Sequence, residues 1–195
     1  MKKNIGHAGG HQAVSVALAL CLAAGCSPGI GAQADAFIPL VRSLADRLNT
    51  ADQVALTKWD TGQPVYDPQR ETQVIENVVT MANRIGLNAG DASNIFTDQI
   101  EANKEVQYAL LNNWRRQGGA PATPRQSLSG VIRPTLDRLQ LSIMQNLLGL
   151  ASLRSVADCQ TELAMAVGQV ARQTSMDALH VAALDRAVAR VCVKH

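Results

Sequence analysis

Residues 35–61, DAFIPLVRSLADRLNTADQVALTKWDT, carry the pattern that decides the fold. Apolar side chains recur every three or four residues along this stretch, at Phe37, Leu40, Val41, Leu44 and Leu48. This spacing places them on one face of an α-helix. Because β-branched alternation is rare in the rest of the chain, we predict an all-α fold.

Glycine, proline and capping residues divide the chain after residue 61 into further helices. Asp67 is the expected N-cap of the second helix, with Pro68 at its first position. We predict helices over about 68–85, 91–116, 127–153, 159–172 and 176–192. The result is a bundle of five to six helices in one domain, residues 35–195, with a helical hairpin at its C-terminal end.

Length and composition exclude several classes of protein. The 195 residues suffice for one globular domain with a core, and 47% hydrophobic against 17% charged residues argues against disorder. Aromatic residues make up only 3% of the chain, which disfavours a nucleic-acid binder that stacks bases.

The first 34 residues have the features of an export signal. Two lysines near the start precede an apolar run over 13–24, which is too short to span a membrane, and Ala32-Gln33-Ala34 fits an A-x-A cleavage site. We therefore predict a periplasmic or secreted protein cleaved after Ala34. The alternative is lipoprotein processing at Cys26.

Removal of residues 1–34 takes away two lysines and no acids, so the mature chain has no formal net charge. This balance gives no reason to expect a nucleic-acid partner or a stable association with membranes after cleavage.

Two cysteines, Cys159 and Cys192, remain in the mature chain, and an even number suits an oxidising compartment. The midpoint between them falls at the predicted break Gln173-Thr174-Ser175. If the flanking helices are antiparallel, the two sulfur atoms meet at the open end of the hairpin. We predict a disulfide, with two free thiols as the alternative.

Five polar side chains lie within the apolar stripes of their predicted helices or at the edges of those stripes. Glu71 lies in the middle of the inward stripe of the second helix, and Asn103 and Gln107 lie one turn apart in that of the third. Arg47 and Lys58 project from the same edge of the first helix, about three turns apart.

Each of these residues alone could be a paired core residue or a side chain that reaches solvent. Together, and with Arg70 beside Glu71, they predict a cavity that is cationic in balance and suits a small anion with a hydroxyl group. No catalytic triad, phosphate loop or metal cluster is apparent, and His180 stands alone. Chemistry in this cavity would depend on positioning and electrostatics.

The sequence resembles the active-site signature of the all-α (AroQ-type) chorismate mutases. The matching residues are Arg47 and Lys58, then Asp67-Pro-Gln-Arg70-Glu71, then Phe96, Asn103 and Gln107. The leader, the cysteine pair, the stretch 51–59 and the long C-terminal region are similar to the secreted, periplasmic gamma subclass. The resemblance covers essentially the whole mature chain.

The resemblance implies a Claisen rearrangement of chorismate to prephenate, chemistry of phenylalanine and tyrosine biosynthesis, with no cofactor, metal or covalent intermediate. It implies that Arg47 holds one substrate carboxylate, and that Lys58 reaches the other carboxylate and the ether oxygen. Gln107 would donate to the same ether oxygen. Because an amide donates in its neutral form, no requirement for acid pH is expected.

Further roles follow from the same resemblance. Arg70, capped by Asp67, would bind or orient a carboxylate, and Glu71 would accept from the ring hydroxyl. Asn103 stands where the family often has Ser or Thr, and it can still donate. Arg133 is the best match to an arginine that the family draws from the following helix, with Arg125 and Arg138 as weaker alternatives.

The resemblance also implies a homodimer in which each pocket lies inside one chain. We expect residues 35–125 to form the catalytic core helices and residues 126–195 a C-terminal extension. The alternative function is a non-catalytic periplasmic helical domain that binds a small dicarboxylate.

Overall fold

The computed structural model describes residues 30–193, and every regular element in that range is helical, which confirms the all-α prediction. The α-helices are α1 (Ile30–Thr61), α2 (Pro68–Ile85), α3 (Ala89–Gln117), α4 (Arg133–Gly149), α5 (Cys159–Gln173) and α6 (Ala178–Ala187). None of them is long and apolar enough to cross a membrane. Most of the predicted export signal, including Cys26, lies outside the described residues.

Helix α1 is the centre of the bundle, because α3, α4, α5 and α6 all pack against it. Its predicted apolar face is no more than 1% exposed at any of the five positions from Phe37 to Leu48. The described part of the helix extends N-terminal of the predicted start at Asp35 as far as Ile30, and Ala34 is buried. Cleavage after Ala34 stays a prediction.

Capping residues set the ends of α2 as the sequence predicts, whereas α3 begins two residues before the predicted Asp91. The Asp67 carboxylate accepts a hydrogen bond from the backbone N–H of Arg70 at 3.1 Å, which fixes the start of α2. Gly86 ends that helix at φ 77°, a left-handed conformation that favours glycine. The N-cap of α3 is Asn88, which accepts from the N–H of Asp91 at 2.9 Å.

The fourth predicted helix, over 127–153, is wrong at both ends. Residues Leu128–Ile132 form a single π-helical turn, in which the N–H of Ile132 donates to the carbonyl of Ser127 at 3.1 Å. Regular α-helix begins only at Arg133 because Pro134 has no N–H to donate. After Gly149 the chain turns into a short 3₁₀ turn, Leu153–Ser155, and buries Arg154.

The last predicted helix is also too long, because α6 ends at Ala187 instead of continuing to 192. The buried Arg154 guanidinium donates to the carbonyl of Val191 at 2.6 Å, and the N–H of Val193 donates to the carbonyl of Arg154 at 2.8 Å. These hydrogen bonds between distant residues prevent residues 188–192 from continuing α6. In this conformation Cys192 is buried.

The predicted disulfide is present between Cys159 and Cys192, whose Cα atoms lie 5.9 Å apart. It ties the start of α5 to the segment after α6. Two further polar contacts hold α6 in place. The ring of His180 bridges Asp177 at 2.9 Å and Asp52 of α1 at 3.1 Å, and the hydrogen bond with Asp52, opposed by burial, raises the pKa of His180.

The second polar contact joins α3 to α6 through Asp98, which is 1% exposed and bonds to both Arg186 and Arg190. Burial alone would raise the pKa of Asp98, but hydrogen bonds from the two arginines outweigh it and hold that pKa below its ordinary value.

Loss of the disulfide should destabilise the fold without removing the site. The bond closes a loop with a sequence separation of 33. The double variant Cys159→Ser/Cys192→Ser should therefore lose about 3–4 kcal/mol of unfolding free energy, measured by denaturant titration. Neither cysteine lines the cavity described below, so activity per folded molecule should be unchanged. A loss under about 1 kcal/mol would contradict this account.

Candidate active site

A cavity of about 180 Å³ lies between α1, α2, α3 and the beginning of α4. This is smaller than pockets for drug-sized ligands, which enclose about 300–1,000 Å³, and suits a single small metabolite. The structure brings to its wall all eight residues that the sequence singles out for substrate, namely Arg47, Lys58, Asp67, Arg70, Glu71, Asn103, Gln107 and Arg133.

The cavity wall carries more positive than negative charge. Its five basic side chains are Arg47, Lys58, Arg70, Lys104 and Arg133. Its three acidic side chains are Asp67, Glu71 and Asp137, which leaves a formal excess of two positive charges. A pocket with this balance favours a dianion over neutral or cationic molecules.

Arg47 is the most deeply buried of these cations, at 6% exposure. Its guanidinium lies 5.7 Å from the centroid of the Phe96 ring, and its Nε has no hydrogen-bond partner among the described residues. Burial, together with the charge of Arg70, lowers the pKa of Arg47 to about 10, so the side chain is still protonated at neutral pH. A buried cation with an unpaired N–H is prepared to receive an anion.

Lys58 is held against the loop that joins α1 to α2. Its Nζ donates to the carbonyl of Val65 at 2.7 Å, and it forms no ion pair among residues 30–193. The Val65 side chain is buried in a small apolar cluster near the edge-to-face pair Trp59 and Trp114, which anchors the loop. Burial lowers the pKa of Lys58, while the Asp67 and Glu71 carboxylates oppose the shift.

Gln107 and Asn103 form an amide pair at the buried side of the cavity. Gln107 is 4% exposed, and its Nε2 donates to Oδ1 of Asn103 at 2.7 Å. An amide nitrogen has two hydrogens, so the second N–H of Gln107 remains for a ligand. Its Oε1 is buried and has no hydrogen-bond partner within residues 30–193, a state that a bound polar molecule would relieve.

The structure separates the three candidate arginines that follow α3. Arg133, at the first position of α4, lines the cavity. Arg125 lies outside it and forms a salt bridge with Asp60 at 2.9 Å. Arg138 is also absent from the wall and contacts Thr135 on its own helix. The π-helical turn before Arg133 sets which side of α4 faces the cavity, and Leu128 and Ile132 complete that wall.

Sequence reasoning missed several polar wall residues, and Lys104 is the most informative of them. Its Nζ lies 3.1 Å from Oε2 of Glu71 and 2.9 Å from Oε1 of Glu101. A signal was present, because Lys104 lies three residues before Gln107 and hence on the same side of α3. The other missed polar residues are Thr50, Gln63, Asp137 and Gln140, for which no local pattern distinguishes the cavity from solvent.

Comparison with known proteins agrees with this geometry. The family model described as chorismate mutase type II matches residues 38–108, which run from α1 to Tyr108 in α3. A protein named secreted chorismate mutase, from Mycolicibacterium smegmatis, is 30% identical over 178 residues, which cover 91% of this chain and 98% of the relative. The chain belongs to the chorismate mutase family.

Further relatives extend the likeness beyond the matched segment. A secreted chorismate mutase from Mycobacterium tuberculosis is 28% identical over 183 residues, covering 92% of this chain and 91% of the relative. The crystal structure of a chorismate mutase from Burkholderia phymatum is 77% identical, with a TM-score of 0.83, and covers 84% of this chain and 100% of its own. That of a Burkholderia thailandensis chorismate mutase is 35% identical, with a TM-score of 0.78, and covers 80% and 99%.

For this chorismate mutase family member, the family match and the cavity overlap only in part. Seven of the eight residues expected to contact substrate lie inside the matched segment, from Arg47 to Gln107. Arg133 lies outside the segment, but α4 brings it to the same cavity.

Proposed function

We propose that this protein is a chorismate mutase that converts chorismate to prephenate inside the cavity between α1, α2, α3 and α4. The observation that carries the proposal is the formal excess of two positive charges around a cavity of about 180 Å³. Chorismate is a small dianion with a hydroxyl group, and the charge, size and amide donors of the wall complement it.

The position of each side chain supports a distinct role. Arg47, buried and unpaired at Nε, would bind one substrate carboxylate. Arg70 and Arg133 would assist in holding the carboxylates, with Asp67 fixing the helix start that carries Arg70. Glu71 would accept a hydrogen bond from the ring hydroxyl. Asn103 would hold Gln107 through their 2.7 Å bond and can donate its own amide.

Lys58 and Gln107 would act on the breaking bond. As the C–O bond of chorismate breaks, negative charge builds on the ether oxygen. Donors fixed beside that oxygen stabilise the transition state more than the ground state, and this difference accelerates the reaction. Lys58 supplies a charged donor and Gln107 a neutral one. No covalent bond to the protein forms, and all the electrons stay within the rearranging substrate.

Mixing chorismate with the purified protein tests this proposal directly. Chorismate absorbance should fall, and the product should yield phenylpyruvate after acid treatment, as prephenate does. The alternative, a periplasmic helical domain that only binds a small dicarboxylate, predicts a higher unfolding temperature with chorismate and no consumption of it. That second result would refute the enzymatic assignment.

We also propose that the protein is exported, with residues 1–34 removed, and that residues 35–125 form the catalytic core and 126–195 an extension that contributes Arg133. The names of the two mycobacterial relatives, which describe secreted proteins, support export. N-terminal sequencing of the exported protein should begin at Asp35, whereas a lipid-modified Cys26 would indicate lipoprotein processing.

The oligomeric state is a further part of the proposal. We infer a homodimer from the family resemblance, and we expect each cavity to be complete within one chain, because helices and loops of one chain line the cavity described above. Light scattering coupled to gel filtration should give twice the chain mass. Loss of activity on dilution to monomer would contradict a cavity that is complete in each chain.

A further inference from the structure

Lys104 is a partly buried cation of the cavity wall that the roles assigned above do not use. Its side chain is 13% exposed, and its Nζ lies between two carboxylates, 3.1 Å from Glu71 and 2.9 Å from Glu101. The same ammonium lies 5.2 Å from the centroid of the Tyr66 ring. Lys104 therefore joins α3 to both α2 and the loop before α2.

The contacts of Lys104 determine how Glu71 is held. Oε2 of Glu71 is engaged by the ammonium, while Oε1 has a single long contact, with the N–H of Asp67 at 3.4 Å. Burial lowers the pKa of Lys104, but the hydrogen bonds that its ammonium donates to Glu101 and Glu71 outweigh this effect and raise that pKa above its ordinary value. Lys104 is thus a stable positive charge throughout the neutral range.

Glu71 has a competing partner within electrostatic reach. The Glu71 carboxylate raises the pKa of Lys58, and Lys104 lowers it, so the three charges act on one another. Without Lys104, the carboxylate would be free to pair with the Lys58 ammonium. Such a pair would neutralise the charged donor at the ether oxygen and withdraw the acceptor for the hydroxyl. In the structure Lys58 instead donates to the Val65 carbonyl.

We propose that Lys104 is a positioning residue that anchors the Glu71 carboxylate to α3, which leaves Oε1 of Glu71 available to the substrate hydroxyl and keeps Lys58 unpaired. This inference rests on the proposed function, because it assigns Lys104 a role in the same reaction. Direct binding of substrate by Lys104 is disfavoured because its ammonium is already engaged by two carboxylates and a ring face.

A double-mutant cycle between Lys104 and Glu71 tests the proposal. We expect Lys104→Met to lower kcat/KM for chorismate about tenfold in the wild-type background, since small displacements of catalytic groups are costly. In the Glu71→Gln background the same substitution should change kcat/KM less than about twofold, because the group it positions has gone. Lys104→Arg should restore most of the activity, since a guanidinium can reach both carboxylates.

Arg115→Met is the matched control, because Arg115 is an exposed cation of the same helix whose only side-chain bond in residues 30–193 is to Asn112. It should leave kcat/KM unchanged. If Lys104→Met lowers the unfolding temperature by more than about 5 °C, Lys104→Gln replaces it in the cycle.

The outcomes separate this inference from the proposed function. Equal losses from Lys104→Met with and without Glu71, or no loss in either background, would overturn the positioning role and leave the enzyme assignment intact. A wild-type protein that does not consume chorismate would remove the proposed function and this inference together.

Discussion

Lys58→Ala should lower kcat/KM for chorismate by about 10²–10³-fold or more while the protein remains folded. Removal of one donor to a developing oxyanion typically costs this much in other enzymes. Lys58 is, in addition, the only charged group expected at the ether oxygen. The loss should appear mainly in kcat, because the ether oxygen gains its negative charge only in the transition state.

Lys58→Ala also removes a structural contact, and the experiment must separate this effect from the loss of the catalytic donor. Lys58 also donates to the Val65 carbonyl, so its loss removes one contact of the α1–α2 loop. The buried Val65 side chain still anchors that loop in its apolar cluster. Unfolding temperature and far-ultraviolet circular dichroism should therefore change little. Thr57→Ala, one residue earlier and outside the cavity wall, is the control and should keep normal activity. Near-normal turnover by Lys58→Ala would refute its role.

Gln107→Glu should convert an enzyme with a flat pH profile into one that works only in acid. The wild-type amide donates in its neutral form, so kcat/KM should stay nearly constant between pH 5 and 7. A carboxyl group at this position donates only when protonated. Above its pKa, kcat/KM of the variant should fall about tenfold per pH unit, which amounts to roughly 10² between pH 6 and 8.

The charges around residue 107 explain why kcat/KM of the variant should fall as the pH rises. An ionised carboxylate would accept from Lys58 or Arg47 and would face the negative charge that develops on the ether oxygen. Gln117→Glu, at the exposed end of the same helix, is the matched control and should keep the wild-type profile. A wild-type rate that collapses between pH 5 and 7, or a variant as active at pH 8 as at pH 6, would contradict the assignment of Gln107 as donor.

Local sequence signals were sufficient for features that depend on contacts between residues close together in the chain. The Asp67 cap, the end of α2 at Ile85 and the buried stripe of α1 depend on residues within one or two turns, and they appear as predicted. The Cys159–Cys192 pair was also predicted correctly, although α6 ends at Ala187 and the two helical arms are therefore not equal.

Sequence signals failed where distant residues override local preference. The end of α6 is decided by Arg154, a residue far away in the chain whose guanidinium binds the carbonyl of Val191. The start of α4 is a local exception, because the N–H of Ile132 bonds to the carbonyl of Ser127 and, with Pro134, makes a π-helical turn in place of regular helix. The helical spacing of apolar residues predicts neither the end of α6 nor the start of α4.

The sequence by itself indicated that this protein is a helical bundle and that its last two cysteines pair. It also placed Glu71 and Gln107 in the apolar stripes of their helices, with Arg47 and Lys58 at a stripe edge. Only the tertiary structure decided that these faces enclose one cavity, that Arg133 rather than Arg125 joins it, and that Lys104 holds Glu71. The physical reason is the distance along the chain over which each kind of interaction acts. Periodicity fixes the direction of a side chain around its own helix axis, whereas contacts between helices depend on how the helices cross and where the loops place them.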